Sequence, residues 1–316
     1  MIIALSGGVG GAKLALGLAR VMPPEELVVI VNTGDDFEHL GLSISPDIDT
    51  VAYTLAGIAN RDVGWGRQDE TWSFMETMEV LGGETWFRLG DRDVALHVER
   101  TRRLSNGETL SAITDDVCRR LGIKSRVIPM SDDPVRTRLR TEEGWLDFQE
   151  YFVHRRCEPI VHELLFQGAG AAQAHPDFLA ALSNPALKAI VICPSNPFIS
   201  VEPILAIPGV RQAMIDSPAP IIAVSPIIAG QAVKGPTAKM MKELGLDPSA
   251  GTVAHRYHDL LDGYVIDHAD MSEVVSIDAR VTLAQTLMRT LEDREALART
   301  VLDAAAVLRR RRKVSR

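Results

Sequence analysis

Short runs of consecutive apolar residues alternate along this chain with stretches whose apolar positions recur every three or four residues. That alternation predicts strands and helices in turn, hence an α/β fold built on a parallel sheet. Residues 2–5 form the first apolar run, followed by glycines at 7–11, a helical pattern over 12–21 and paired prolines at 23 and 24. Residues 27–31 are β-branched and continuous, as in a strand buried on both faces. Similar runs at 189–193 and 221–224, and a shorter one at 264–266, predict further strands of the same sheet. The expectation is one α/β domain over residues 1–316, Rossmann-like, with helices on both faces of a right-handed parallel sheet. From about 61 to 170 the rhythm changes. Helical patterning at 71–80 and 113–121 and short strands at 126–129 and 145–148 predict an inserted capping lobe.

Each predicted core strand runs straight into polar or turn residues. The exits are Ser6-Gly7-Gly8, Asn32-Thr33-Gly34-Asp35-Asp36, Pro194-Ser195-Asn196-Pro197 and Ser225-Pro226. Open α/β sheets bind ligands beyond the carboxyl ends of their strands, so these four distant segments are expected to face one crevice.

The chain has 316 residues, 46% of them hydrophobic, enough for a substantial core. Three cysteines, Cys118, Cys157 and Cys193, stand too far apart for a disulfide framework or a zinc knuckle, so a reducing cytoplasm is expected. The opening lacks the basic region and long apolar stretch of a signal peptide. The longest apolar run, 221–229, is broken by Pro226 and too short to span a bilayer. A net charge of -8 argues against a general nucleic-acid surface. The basic run 309–313 is the exception, readable as a contact patch or as a solvated helix end.

The glycine turn Ser6-Gly7-Gly8-Val9-Gly10-Gly11-Ala12-Lys13 suits an anion. Glycine lets a phosphate approach backbone N–H groups, and the following helix adds its positive end. Gly7, Gly8, Gly10, Gly11 and Lys13 are therefore candidate phosphate ligands. The spacing fits neither a Walker A loop nor a clean G-x-G-x-x-G, and a tight strand-to-helix turn explains the same glycines. Next, Asp35, Asp36, Asp47 and Asp49 place four carboxylates within fifteen residues, all past one strand end. Hard oxygen ligands suit Mg²⁺, with Asp36, Asp47 and Asp49 the candidate set. A carboxylate here could instead take the proton of an attacking hydroxyl, with Asp49 and Asp36 the candidates. Turn and helix-cap chemistry favours the same residues.

Arg88-Leu89-Gly90-Asp91-Arg92-Asp93, with His97 beyond it, reads either as an anion clamp or as a surface ion-pair network. Ser195, Asn196 and Ser225 offer neutral hydrogen-bonding groups suited to a base or ribose, and Lys234, beside Gly235-Pro236, offers an anion contact. His255, His258 and His268 make no convincing metal triad.

Taken in order, Ser6-Gly-Gly-Val-Gly-Gly-Ala-Lys-Leu14, Asn32-Thr-Gly-Asp-Asp36, Ser45-Pro-Asp-Ile-Asp-Thr50 and Leu89-Gly-Asp-Arg-Asp93 resemble the 2-phospho-L-lactate transferase family of coenzyme F-420 biosynthesis. Pro129-Met-Ser-Asp-Asp-Pro-Val135, Pro194-Ser-Asn-Pro197, Ser225-Pro-Ile-Ile228 and Lys234-Gly-Pro236 extend the likeness to about residue 270. The resemblance implies a Rossmann-like core, Mg²⁺ dependence and a homodimer. It also implies a reaction between the deazaflavin alcohol Fo (7,8-didemethyl-8-hydroxy-5-deazariboflavin) and a guanosine diphosphate donor. Fo's terminal ribityl hydroxyl would attack the phosphorus bearing a phospholactyl or phosphoenolpyruvyl group, and GMP would leave. Asp49 and Arg88 would bind Fo, and the guanosine diphosphate would lie across the glycine turn and the later loops. One departure is the stretch Val9-Gly10-Gly11-Ala12, where related sequences often carry threonine and proline. A second family, resembling regulators of gluconeogenic growth and cell shape, shares the glycine-rich opening and binds nucleotide sugars without catalysis. Such a protein has no need of both Ser45-Pro-Asp-Ile-Asp-Thr50 and Leu89-Gly-Asp-Arg-Asp93.

Overall fold

The computed structural model describes residues 1–60 and 64–314, with side chains as far as Arg309. The side chains of the basic run beyond Arg309 therefore lie outside the described residues.

Seven parallel strands form the central sheet: β1 (Ile2–Ser6), β2 (Leu27–Val31), β3 (Arg126–Pro129), β4 (Ala189–Ile192), β5 (Ile221–Val224), β6 (Gly263–Asp267) and β7 (Arg280–Ala284). Their order across the sheet is β7-β6-β5-β4-β1-β2-β3. β1 and β2 are buried along their whole length, as their unbroken apolar runs require. Alternate side chains feed two cores. Ile3, Leu5, Val28 and Ile30 pack on one face with Phe178, Ile204 and Tyr257, while Ile2, Ala4, Leu27 and Val29 pack on the other. Helices α1 (Gly8–Val21), α2 (Pro46–Ala56) and the C-terminal helix 291–314 cover that second face.

The chain leaves β1 toward β2 and β3, then returns to build β4 to β7 on the other side. The direction of winding therefore reverses between β1 and β4, the position where such sheets form their ligand crevice.

Strand 126–129, expected in the inserted lobe, instead completes the main sheet beside β2. The insertion is thus divided. Its first part carries the helix Ser73–Val80, α3 (Asp91–Ser105) and the helix Leu110–Arg120. Its second is a three-stranded antiparallel sheet in the order Gly144–Asp147, Arg136–Thr141, Glu163–Gln167. That small sheet sits on the exit of β2, where Thr137 N donates to the Gly34 carbonyl at 2.6 Å and Gln149 Nε2 to the Asp35 carbonyl at 3.2 Å. Among the described residues no single helix is long and apolar enough to cross a membrane.

Candidate active site

The first helix begins sooner than the glycine pattern suggests. Gly8, Gly10 and Gly11 lie inside its first turn, and only Gly7 precedes it. A Cβ on Gly10 would collide with the Pro194 carbonyl, and one on Gly11 would meet Ser195 Oγ and Ser6 Oγ, each at 2.5 Å. These two glycines bring α1 hard against the exit of β4. Gly8 is different: its φ of +63° is left-handed, and open space lies where its Cβ would be. Gly7 at its N-cap offers no side chain, so apart from the bond that Asp47 makes to Gly8 N the amino end of α1 is a positive pole at the winding reversal.

Two lysines flank that pole. Lys13 is half-buried and donates to the Met288 carbonyl at 3.0 Å. Burial, then the charges of Arg294 and Lys234, hold its pKa below the usual lysine range. Lys234 Nζ lies 2.8 Å from where a Gly64 Cβ would stand, and Val9 Cγ1 lies 3.0 Å from the same point. The late loop therefore closes over the first turn of α1.

The other expected nucleotide ligands serve the frame. Ser195 Oγ accepts from Gly7 N at 3.1 Å, and Asn196 Oδ1 caps the following turn through Phe198 N at 2.9 Å. Ser225 Oγ both accepts from Ile227 N and donates to its carbonyl. Its hydroxyl is therefore bonded within its own turn.

Beside the pole lies a buried acidic cluster. Asn32, fully buried at the end of β2, organises it: Nδ2 reaches Asp47 Oδ2 at 3.0 Å, Asp35 Oδ1 at 3.3 Å and the Ile199 carbonyl at 3.2 Å. Asp47 Oδ1 accepts from Gly8 N at 2.6 Å and ties α2 to the glycine turn. Asp36 Oδ2 accepts from Ser45 Oγ at 2.8 Å, whereas its Oδ1 is buried without a partner. Pro46 at the first position of α2 pre-sets the helix, placing Asp47 and Asp49 in its first turn, where carboxylates are favoured.

Burial dominates the protonation of this cluster. It raises Asp36 to about 7 against the opposing charges of Arg136 and Arg100. Asp47 rises to about 6, burial outweighing its bonds from Asn32 and Gly8. Asp35 is pushed well above the usual carboxylate range by burial and by its neighbours Asp47 and Asp36.

Asp49 sits apart from that group in its bonding. Both its oxygens meet Arg100, Oδ2 at 3.1 Å from Nη1 and Oδ1 against Nη2. Arg100 is 3% exposed and reaches the site from α3 of the insert. His97, one turn earlier, lies 3.3 Å from Arg100 Nη1, and burial lowers its pKa to about 4, so the ring is neutral. Next along the same seam, the Tyr53 hydroxyl of α2 faces the Asp93 carboxylate of α3. Burial raises Asp93 to about 6.

The expected metal set Asp36, Asp47 and Asp49 is thus not gathered as a cage. Among the described residues no group of three or more His, Cys, Asp or Glu side chains is placed to hold a metal ion by itself. The donor chemistry still fits Mg²⁺, which commonly takes one or two carboxylates plus substrate oxygens. Asp35 and Asp47, side by side on Asn32 with raised pKa values, are the pair such a charge would relieve. Arg88 stands elsewhere: exposed, its guanidinium lies 4.3 Å from the Trp72 ring centroid.

Sequence reasoning missed Arg100, Tyr53 and Arg136. The spacing of Asp93, His97 and Arg100 by four and then three residues, matched by Asp49 and Tyr53 four apart, was the signal for two polar helix faces meeting.

A parallel sheet with a glycine-rich helix start and a buried acidic cluster at its winding reversal has the layout of an α/β enzyme. A profile of the 2-phospho-L-lactate transferase CofD family matches residues 2–306. The phosphoenolpyruvate transferase of Kitasatospora aureofaciens is 41% identical, covering 98% of each chain. The 2-phospho-L-lactate transferase of Methanosarcina mazei is 38% identical, covering 96% of this chain and 100% of its own. The chain belongs to the 2-phospho-L-lactate transferase family, that of coenzyme F-420 biosynthesis, and is a transferase. A solved member of the UPF0052 family from Bacillus halodurans shares the fold, with a TM-score of 0.65 at 13% identity over 95% of this chain and 98% of its own.

Proposed function

We propose that this transferase joins a phospho-acid from a guanosine diphosphate donor to the terminal ribityl hydroxyl of Fo. The acid is lactate or enolpyruvate, since relatives bearing both names match nearly the whole chain. The hydroxyl oxygen attacks the acid-bearing phosphorus. The bond from that phosphorus to the bridging oxygen breaks, and GMP departs with the bridging oxygen.

The observation that carries this reading is Asp36: buried, with one oxygen unpartnered and its pKa raised to about 7, in the acidic cluster whose Asp47 binds the amino end of α1. A proton acceptor works best when its pKa lies near the working pH. Asp36 Oδ1 takes the hydroxyl proton as the new bond forms. Asp49, expected as base and metal ligand, has both oxygens on Arg100 and orients the acceptor instead. The amino end of α1, with Lys13 and Lys234, holds the diphosphate. Asp35 and Asp47 would hold Mg²⁺, which when bound neutralises charge on the phosphoryl oxygens.

A homodimer and a cytoplasmic location belong to the same proposal. The three cysteines are unbridged, which suits a reducing compartment. Mass spectrometry of the product from purified protein, Fo and each guanosine diphosphate donor tests the reading, because the two acids differ by one double bond. Failure to form a phosphodiester of Fo with either donor overturns it.

A further inference from the structure

After β6 the chain makes the 3-10 turns His268–Ser276, and three carboxylates in and beside them each hold a different segment. Asp267, the last residue of β6, accepts through Oδ2 from Thr286 N at 2.9 Å and from Thr286 Oγ1 at 3.2 Å. Asp270 Oδ1 accepts from Ala229 N at 2.8 Å. Glu273 Oε2 accepts from Gly251 N at 2.6 Å. Asp270 is 3% exposed, and burial, with the charges of Glu273 and Asp267, raises its pKa above the usual carboxylate range. Keeping three like charges together is electrostatically unfavourable, and the charge-assisted bonds to backbone N–H groups offset it.

Two of these bonds lead to the lysines that flank the amino end of α1. Ala229 and Gly230, with φ of +48° and +75°, form the two-residue turn of a hairpin that pairs Ile227–Ile228 with Gln231–Ala232. Such a turn favours Asn, Asp or Gly, so the left-handed alanine is strained. Two residues per strand do not hold a hairpin unaided. Asp270 fixes the strained residue, and with it the path of the chain toward Lys234, two residues past the hairpin.

The bond from Thr286 serves the other lysine. Asp267 holds Thr286 just past the exit of β7, and two residues on the Met288 carbonyl accepts from Lys13 Nζ at 3.0 Å. Lys13 in turn feels the charge of Lys234, so the two arms converge.

We infer that Asp267 and Asp270 are positioning residues for the donor: through the segment Thr286 to Met288 and the 227–232 hairpin they hold Lys13 and Lys234 in place for the diphosphate. This rests on the reading of those two lysines as diphosphate ligands.

The test is a pair of double-mutant cycles read as GDP affinity by calorimetry. Asp270→Ala should weaken GDP binding roughly fivefold, the worth of one hydrogen bond. Asp270→Asn, whose amide oxygen still accepts from Ala229 N, should stay within about twofold of wild type. In a Lys234→Ala background, Asp270→Ala should weaken binding by less than about twofold more. Asp267→Ala should show the same pattern against Lys13→Ala, and it carries the test alone if thermal melts show that Asp270→Ala does not fold. Losses that multiply in the double variants would mark the carboxylates as serving general stability and overturn the inference, as would unchanged GDP binding in both alanine variants. Wild-type GDP affinity in Lys13→Ala and Lys234→Ala would overturn the diphosphate reading itself, and the inference with it.

Discussion

Asp49 of α2 and Arg100 of α3 face each other across the seam between core and insert, the two carboxylate oxygens on the two terminal guanidinium nitrogens. The pair is buried on both sides, at 9% and 3% side-chain exposure. Breaking such a pair by removing one partner leaves an uncompensated buried charge, whereas replacing both can be nearly neutral. Arg100→Gln should therefore destabilise the fold by about 3–5 kcal/mol. Asp49→Leu with Arg100→Met should recover most of that stability in denaturant titrations while turnover stays lost. Recovery of turnover in the double variant would show that the pair serves the fold alone.

Asp36→Asn removes the proposed proton acceptor but keeps size and the bond from Ser45. Turnover should fall by about 10²–10⁴-fold, while Fo and GDP still bind. Single-turnover kinetics at saturating substrate read this directly, and near-wild-type turnover contradicts the assignment.

The same residue sets a stability signature. A carboxyl pKa raised from 3.8 to about 7 means that the folded state keeps a proton the unfolded chain has released. Asp36 thus favours folding below its unfolded pKa and loses that contribution as pH rises from about 4 through 7. His97, lowered to about 4, acts in the opposite sense between about 4 and 6.5. The clean readout is therefore the difference between Asp36→Asn and wild type. In metal-free buffer the variant's melting temperature should gain on wild type from pH 5 to pH 7.5. A constant difference across that range would place Asp36 in a solvated setting.

The glycines separate by mechanism. Gly10→Ala should destabilise the protein, since its Cβ meets the Pro194 carbonyl. Gly8→Val has room but an unfavourable φ, and its branched side chain stands at the open pole of α1. It should retain a cooperative fold and lose GDP affinity by roughly tenfold or more. Calorimetry with GDP and thermal melts on both variants distinguish the two.

What was legible in the sequence was local along the chain. Apolar runs ending in polar turns located β1, β2, β4 and β5 and put their exits on one edge of the sheet, because strand exits are chain neighbours of the strands themselves. Asp35 and Asp36 were visible for the same reason. Which sheet a short strand such as Arg126–Pro129 joins is decided by pairing with Val28 to Val31, and periodicity carries no such information. Arg100 was missed because its partner lies 51 residues away on another helix. The density of glycines suggested phosphate contact throughout, yet Gly10 and Gly11 are glycine because α1 packs against the Pro194–Ser195 turn.

The central claim is that Fo's own hydroxyl oxygen becomes the bridge to the transferred phosphorus, with GMP as the leaving group. Fo labelled with oxygen-18 at its terminal ribityl hydroxyl, incubated with a guanosine diphosphate donor, tests it in one turnover. The account predicts the label in the phosphodiester of the product and unlabelled GMP, read by mass spectrometry. Label lost to water, or GDP released in place of GMP, would contradict it.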